Sequence, residues 1–344
     1  MKHSSTKHEY HSFSNQVNDI EHNWSDNTIP MVSVHCVTYN HEPYIRDALE
    51  GFLMQRTTFP FQICILDDAS TDSNVEIIKE YAEKYPNIFK CFFLEENTWG
   101  KQNRMEMAKP FLDACNEGKY IALCDGDDYW TDPYKLQKQV DFLEANSEYS
   151  FCGSEIIIED EKGKYLDKFP YLQKGKDINI FNLENYLYYP FSVFHTSSIV
   201  MRKYSEIIID KLSKYSLGDL AITVSLLTLG DGYMFNEKFS TYRIHKGGIW
   251  SGGNISPSIN QLFIKLNDYK RLEYDFPITK EFIAPIKKHL YNDLANKFAK
   301  NRQLLKSIYY YFLGLISKSE IIDKNWLARL NYNLWLYKKV IINK

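Results

Sequence analysis

Residues 120–130 read YIALCDGDDYW, and this stretch decides the fold that we expect. Tyr120–Cys124 is an apolar run of strand length, and it leads directly into Asp125-Gly126-Asp127-Asp128. Carboxylates packed this closely repel one another unless a cation or water screens them. At the end of a strand they would form a site for Mg²⁺ or Mn²⁺, with substrate phosphates completing the coordination shell. A solvated acidic turn is the alternative interpretation.

Two earlier apolar runs end in the same way. Met31–Val37 leads into Thr38-Tyr39-Asn40, and Phe61–Leu66 leads into Asp67-Asp68-Ala69-Ser70. Because ligands of open α/β sheets bind outside the carboxyl ends of the strands, we expect the three polar clusters to converge on one site. There Asp67 or Asp68 would accept a hydrogen bond from a ribose hydroxyl or a nucleobase N–H. Either acid could instead cap the turn or helix that follows, or one could cap while the other binds.

Helical periodicity separates these strands. Apolar residues recur at helical spacing in three sets: Tyr44, Ile45, Ala48, Leu49, Phe52 and Leu53; Val75, Ile78, Ala82 and Tyr85; and Leu136, Val140 and Leu143. Ser73-Asn74-Val75-Glu76 is a predicted capping box. Further strands are expected at Cys91–Leu94, Tyr149–Ile158 and Tyr233–Phe239, and a helix at Leu217–Leu227. The alternation predicts an α/β fold with a mostly parallel sheet flanked by helices, followed from about residue 257 by helices alone.

The composition excludes several classes of protein. A net charge of -3 gives no basic field for nucleic acid. The six cysteines lack zinc-site spacing, and Cys36, Cys64 and Cys124 lie in strand-like runs where cysteine acts as a small hydrophobe. No signal-peptide core or long apolar run occurs, so a cytoplasmic location is expected. The usual glycine-rich phosphate loops are also missing, so a metal is expected to bind phosphate instead.

The chain resembles the family 2 glycosyltransferases with the GT-A fold, of the type that builds bacterial surface polysaccharides. Three motifs carry the resemblance, in this order: Thr38-Tyr39-Asn40-His41-Glu42, Asp67-Asp68-Ala69-Ser70-Thr71-Asp72 and Asp125-Gly126-Asp127-Asp128-Tyr129-Trp130. The resemblance covers roughly residues 31–250. The implied organisation is a flexible tail (1–30), a GT-A-like domain (31–256, with a nucleotide-sugar half at 31–148 and an acceptor half at 149–256) and a helical C-terminal extension (257–344).

The resemblance implies a nucleotide-sugar donor, usually a UDP-sugar, held with Mn²⁺ or Mg²⁺. The positions that line the donor match Thr38, Tyr39, Asn40 and Glu42. Asp67 or Asp68 matches the acid at the base, Asp125 the acid near the ribose and Asp127 the metal ligand. Family members generally invert the anomeric centre, which requires a general base. Asp219 matches that base, although Gly218 replaces the acid that usually precedes it, and the alternative is that Asp219 caps its helix.

Residues 241–253 resemble the loop that closes over the donor in related enzymes. They read TYRIHKGGIWSGG. Here His245 would be a further metal ligand or a surface histidine, and Arg243 or Lys246 would reach the diphosphate. The glycines would give the loop hinge freedom.

The end of the chain has an unusual composition. Residues 305–344 contain seven Lys/Arg against two Asp/Glu, a balance of +5, and eight aromatic residues. Such helices suit an anionic membrane surface, which would place the protein at the inner face of the membrane. The alternative is a helical cap that packs on the catalytic domain or on the second copy of a homodimer.

The predicted function is transfer of a sugar from a nucleotide sugar to a glycan or lipid-linked acceptor, with inversion. Two alternatives stay open. One is a nucleotidyltransferase acting on sugar phosphates, which would also combine metal-binding acids with an α/β nucleotide site. The other is a non-catalytic carbohydrate-binding protein.

Overall fold

The structure is a computed structural model that describes residues 29–101, 103–166, 179–188, 193–203, 214–248 and 258–316. Most of the expected flexible tail, the last glycines of the expected closing loop and the basic segment after residue 316 lie outside the described residues. The described chain divides into two compact units. The expected boundaries between the nucleotide-sugar half, the acceptor half and the extension stay a prediction.

The first unit is built on a β-sheet whose strands run in the order β3-β2-β1-β4-β8-β6-β9-β5. Their bounds are β1 Val32–Thr38, β2 Phe61–Asp67, β3 Phe89–Phe93, β4 Tyr120–Leu123, β5 Tyr129–Trp130, β6 Tyr149–Asp160, β8 Val200–Arg202 and β9 Asp231–Ile244. Strands β1 to β4 pair in parallel. Strand β8 is antiparallel to β4 and β6, and β5 is antiparallel to β9. The predicted parallel sheet is therefore confirmed for the first four strands, with antiparallel pairs added beyond them.

Helices follow the strands, three of them at predicted positions and two, within residues 104–115, that were not predicted. They are α1 Ile45–Leu53, α2 Asn74–Lys84, α3 Arg104–Met107, α4 Lys109–Cys115 and α5 Lys135–Ala145. The predicted apolar faces of α1 and α5 are confirmed, because their predicted residues from Ile45 to Leu53 and from Leu136 to Leu143 are at most 2% exposed. Burial of such side chains contributes about 1.5–3 kcal/mol each to the stability of the core.

The predicted face of α2 is partly wrong. Of the predicted residues, Ile78 and Tyr85 are buried and Ala82 is half-buried against the core. Val75 is only half-buried, and the helix buries Asn74, Ile77 and Tyr81 as well. The reason is Asn74, a polar residue that occupies a core-facing position and donates to Asp67 and Thr38. The predicted capping box is also wrong, because Ser73 makes no side-chain cap hydrogen bond.

The second unit is mainly helical. It contains β7 Ile180–Phe181, α6 Leu183–Tyr188, α7 Gly218–Leu227, α8 Ile259–Asp275, α9 Lys280–Lys300 and α10 Leu304–Ile316. Ser258 caps α8 through a capping box with Gln261. The helical character predicted after residue 257 is therefore confirmed as far as Ile316. Within the described residues, no helix is long and apolar enough to cross a membrane.

Candidate functional site

The three polar clusters meet at one edge of the sheet. Thr38 at the end of β1 lies opposite Asp67 at the end of β2, in a parallel pair. On the other side of β1, the N–H of Gly126 donates to the Val37 carbonyl oxygen at 3.0 Å. Gly126 has no room for a side chain, because an added Cβ would lie 2.5 Å from Thr38 Oγ1. The predicted convergence of the strand ends is confirmed.

Asp127 lies beside two histidines. Its Oδ2 is 3.7 Å from His41 Nε2, and both side chains are less than one-fifth exposed. His245, the residue that follows β9, brings a third ligand atom, and these three atoms all lie within 4.8 Å of one another. His41 Nδ1 lies 3.2 Å from Thr38 Oγ1, and a partner of this kind orients the ring and leaves the other nitrogen available as a ligand.

Asp128 has a different environment from Asp127. It is 3% exposed, and its Oδ1 accepts from the backbone N–H of Arg243 at 3.0 Å. Burial raises the pKa of its carboxyl well above the usual range, and the charge of Asp127 adds to this effect. His195 Nδ1 lies 3.8 Å from the other oxygen of Asp128. Desolvation lowers the pKa of His195 to about 4, against the opposing charge of Asp127.

The two acids at the end of β2 differ in their partners. Both oxygens of Asp67 are engaged inside the protein, since they accept from the backbone and side chain of Ser70 and from Asn74. Asp68 accepts through Oδ1 from the N–H of Thr98 at 2.8 Å. Asp67 therefore shapes the loop that follows β2, and the binding role expected of Asp68 stays a prediction.

The side chains after β1 also divide into two groups. Asn40 has a φ of 53° and accepts from the N–H of Thr71, while Glu42 accepts from the N–H of Ser73. Thr38 is buried and lies within hydrogen-bond distance of His41 and Asn74. Tyr39, by contrast, is 41% exposed. Of these four expected donor-lining residues, Thr38 is buried and the other three are exposed, but Asn40 and Glu42 accept hydrogen bonds from the loop after β2.

Arg243 is placed differently from its expected role at the diphosphate. Its guanidinium is buried and donates to the Asp127 carbonyl oxygen, to Glu159 and to Asp47. All three of its nitrogens thus have protein partners, and the physical reason is that a buried cation needs counter-charges. Lys246, the other candidate for the diphosphate, is exposed.

Asp219 lies in the first turn of α7 and is exposed. The N-cap residue of this helix is Leu217, so Asp219 is not the N-cap. Its charge contributes to raising the pKa of the buried Tyr186, after the larger effect of burial. Asp125 is partly exposed at the end of β4.

Two residues of the site were not assigned roles from the sequence. His41 stands in the first motif, three residues after the end of β1, and a histidine so close to a strand end at the site is a signal for a ligand. His195 lies before β8 and carries no local signal, because its neighbours Asp128 and Tyr242 are distant in the chain.

Comparison with known proteins identifies relatives of the chain. An uncharacterized protein of Mycobacterium tuberculosis is 37% identical over 224 residues, which is 64% of this chain and 60% of that protein. The putative teichuronic acid biosynthesis glycosyltransferase TuaG of Bacillus subtilis is 34% identical over 148 residues, 43% of this chain and 53% of TuaG. The chain thus spans only part of the length of these relatives.

Among solved structures, residues 1–349 of TarS from S. aureus, in complex with UDP-GlcNAc, have a TM-score of 0.60. The match covers 90% of each chain at 16% sequence identity, and it confirms the GT-A fold. The family model described as glycosyl transferase family 2 matches residues 33–206, about half of the 344 residues. The chain is a member of glycosyl transferase family 2.

Proposed function

We propose that the chain is a metal-dependent, inverting glycosyltransferase that transfers a sugar, from a UDP-sugar, to a glycan or lipid-linked acceptor. The observation that carries the proposal is the approach of His41 to Asp127 at 3.7 Å, at the edge of the sheet where strands β1, β2 and β4 end. Family membership supports a nucleotide-sugar donor and favours glycosyl transfer over nucleotidyl transfer or a non-catalytic role.

The residues around Asp127 fit a divalent cation. One carboxylate with two imidazoles, from His41 and His245, suits Mn²⁺ better than Mg²⁺, which prefers oxygen ligands. When bound, the metal would neutralise charge on the departing nucleoside diphosphate. The protein's own task is to hold the three ligand atoms close together. Thr38 orients the His41 ring, and Arg243 holds the main chain of Asp127.

The donor and acceptor residues are assigned by their places in the fold. Asp68 would accept from the nucleobase through its second oxygen, and Asp125 would accept from the ribose, since both follow buried strands. Tyr39 would cover the nucleotide with its exposed ring. Asp219 would remove the proton from the acceptor hydroxyl as it attacks, in one displacement that inverts the anomeric centre. The description of TuaG as a teichuronic acid biosynthesis enzyme supports a surface glycan as the acceptor.

Hydrolysis of nucleotide sugars by the purified chain tests this proposal. We expect slow release of UDP from one UDP-sugar in Mn²⁺, and loss of release in excess EDTA or in Asp127→Ala. Asp141→Ala is the matched control, because Asp141 is an exposed acid on α5 away from the strand ends. Full activity in EDTA, or equal activity of both variants, would refute the metal role. Release of UDP from no UDP-sugar, with another nucleotide sugar cleaved, would refute the choice of donor.

A further inference from the structure

Arg243 lies at the end of β9, beside the acidic segment that follows β4. Its side chain is 7% exposed. Its backbone N–H donates to Asp128 Oδ1 at 3.0 Å, and its Nη1 donates to the Asp127 carbonyl oxygen at 3.1 Å. Arg243 therefore holds two consecutive acids, because it donates to the main-chain oxygen of Asp127 and to a side-chain oxygen of Asp128.

The guanidinium itself is held from several sides. Nη2 donates to Asp47 Oδ2 at 2.7 Å, and Nε donates to Glu159 Oε1 at 3.3 Å. The rings of Tyr44 and Tyr129 each lie with their centroids 4.9 Å from its central carbon. Burial lowers the pKa of Arg243, but the charges of Asp47 and Glu159 outweigh this and raise it. A planar cation with partners of fixed direction has little freedom to rotate.

The acidic segment needs such a restraint. Gly126 has no side chain to limit its backbone, and a glycine admits many conformations. On one side of the segment, the Gly126 N–H is fixed by the Val37 carbonyl oxygen at 3.0 Å. On the other side, the carbonyl oxygen of Asp127 is fixed by Arg243. These two bonds restrain the backbone on both sides of the Asp127 Cα, from which the carboxylate projects.

We infer that Arg243 is a positioning residue, which directs the Asp127 carboxylate toward His41 by binding the main chain of Asp127 and the side chain of Asp128. Its effect on metal affinity rests on the proposed function, whereas its effect on the conformation of residues 125–128 does not. Arg243 acts on the metal site through Asp127 and is distinct from the expected phosphate-binding role.

Arg202 offers a matched control. It is also a partly buried arginine with all three nitrogens engaged, to Tyr149, Tyr120 and Leu143. It pairs with Tyr120, the first residue of β4, at the opposite end of the strand from the acidic segment. Arg→Lys at either position keeps the charge but removes the three-way hydrogen bonding. General loss of stability should therefore be similar in the two variants.

The test compares full-length wild type, Arg243→Lys and Arg202→Lys in two measurements. Hydrogen–deuterium exchange without metal reports on the amides of Gly126 and Asp128, which donate to Val37 and Asp125. Electron paramagnetic resonance titration with Mn²⁺ alone reports metal affinity. We expect faster exchange at residues 125–128 and roughly 10–100-fold weaker Mn²⁺ binding in Arg243→Lys only, the range typical of residues that orient metal ligands.

Unchanged exchange at residues 125–128 in Arg243→Lys, or the same change in Arg202→Lys, would overturn the inference. Faster exchange in Arg243→Lys with no Mn²⁺ binding by wild type would support the positioning role and refute the metal in the proposed function. If Arg243→Lys does not fold, Asp47→Asn replaces it, because this change removes the charge that orients Nη2 and leaves Arg243 in place. The same local increase in exchange is then expected.

Discussion

At the scale of single residues, the acidic motif combines two environments. The side chain of Asp127 is 19% exposed and faces His41, whereas that of Asp128 is 4% exposed and accepts from Arg243. Strand β5 begins directly afterwards, at Tyr129, and pairs with β9. Asp128 thus anchors the motif to β9, and Asp127 is the acid of the motif that the proposed metal site uses. A motif of adjacent acids therefore does not imply that every acid binds the metal.

Asp219 gives the first prediction at this scale. Asp219→Asn should lower turnover by roughly 10²–10⁴-fold, the usual contribution of a positioned general base, with little change in donor affinity. Glu281→Gln is the matched control, since Glu281 is also an exposed acid in the first turn of a helix. Both changes remove one favourable interaction with a helix dipole. Steady-state kinetics in which both variants keep near-normal turnover would show that Asp219 is not the base.

Lys135 gives the second prediction. It is fully buried, its Nζ lies 4.4 Å from the Trp130 ring centroid, and it donates to Gln139. Desolvation lowers its pKa to about 7, against about 10.4 in the unfolded chain. Between these values the unfolded state binds more protons, so this residue makes the free energy of unfolding rise with pH.

Urea denaturation at pH 7.0, 7.75 and 8.5 measures this effect. Lys135→Met keeps the length of the side chain and removes the titrating group, so we expect wild type to gain stability relative to the variant as the pH rises. The buried cysteines, whose pKa is raised by burial, are present in both proteins, so the difference between the two proteins reports on Lys135. A constant difference between the two proteins would contradict the lowered pKa of Lys135.

At the scale of elements, the loops after β1 and β2 are joined by reciprocal hydrogen bonds. Asn40 donates its N–H to Ser70 Oγ, and Glu42 donates its N–H to Asp72 Oδ2. In return the N–H of Ser73 donates to Glu42 Oε2 at 3.2 Å. The beginning of α2 is therefore stabilised by the loop after β1, which fixes the distance between the two expected donor-binding loops.

Asp72→Ala tests this connection. Asp72 accepts from Glu42 through one oxygen and from Asn74 through the other, so its loss leaves two backbone donors without partners. We expect a loss of about 1–2 kcal/mol in the free energy of unfolding, the upper range for removal of a helix cap, and weaker nucleotide-sugar binding. Asp113→Ala is the control, since Asp113 makes one exposed i,i+4 ion pair, worth at most about 0.5 kcal/mol. Equal urea midpoints for the two variants would refute the connection.

Elements that depend on residues close together in the sequence were predictable. Hydrogen bonds between residues far apart in the sequence were not. Strands β1 to β4, β6 and β9, helices α1 and α5, and the convergence of strand ends follow from local periodicity and from the rule for parallel sheets, whereas the short strands β5, β7 and β8 were not predicted. The cap of α2 was predicted from Ser73, but its acceptors are Asp72 and Glu42, the latter 31 positions from Ser73. The role of Arg243 was likewise not predictable, because its partner Asp47 lies 196 positions away.

At the scale of the whole molecule, the end of the described chain is part of the packed helices. Tyr310 of α10 stacks on Phe298 of α9, with ring centroids 5.3 Å apart, and Tyr311 is 2% exposed. Gly314 lies close to α9, since an added Cβ would be 3.1 Å from Asn292 Oδ1. Helix α10 thus packs on α9 within the second unit, and a chain cut near residue 300 would expose an aromatic face and lose stability.

The membrane interpretation therefore concerns the residues after Ile316, which include six Lys/Arg, two Asp/Glu and four aromatic residues. Each cation near an anionic surface contributes about 1 kcal/mol, and exposed charges are screened by salt. We expect the full chain to co-sediment weakly with phosphatidylglycerol vesicles, less so in high salt, and not with phosphatidylcholine vesicles. A chain ending at Ile316 keeps α10 and should remain folded but lose this binding. The cut removes the charged and aromatic residues of this segment and leaves the described helices intact. Equal sedimentation of both chains, or sedimentation of neither, would therefore show that this segment has no membrane role.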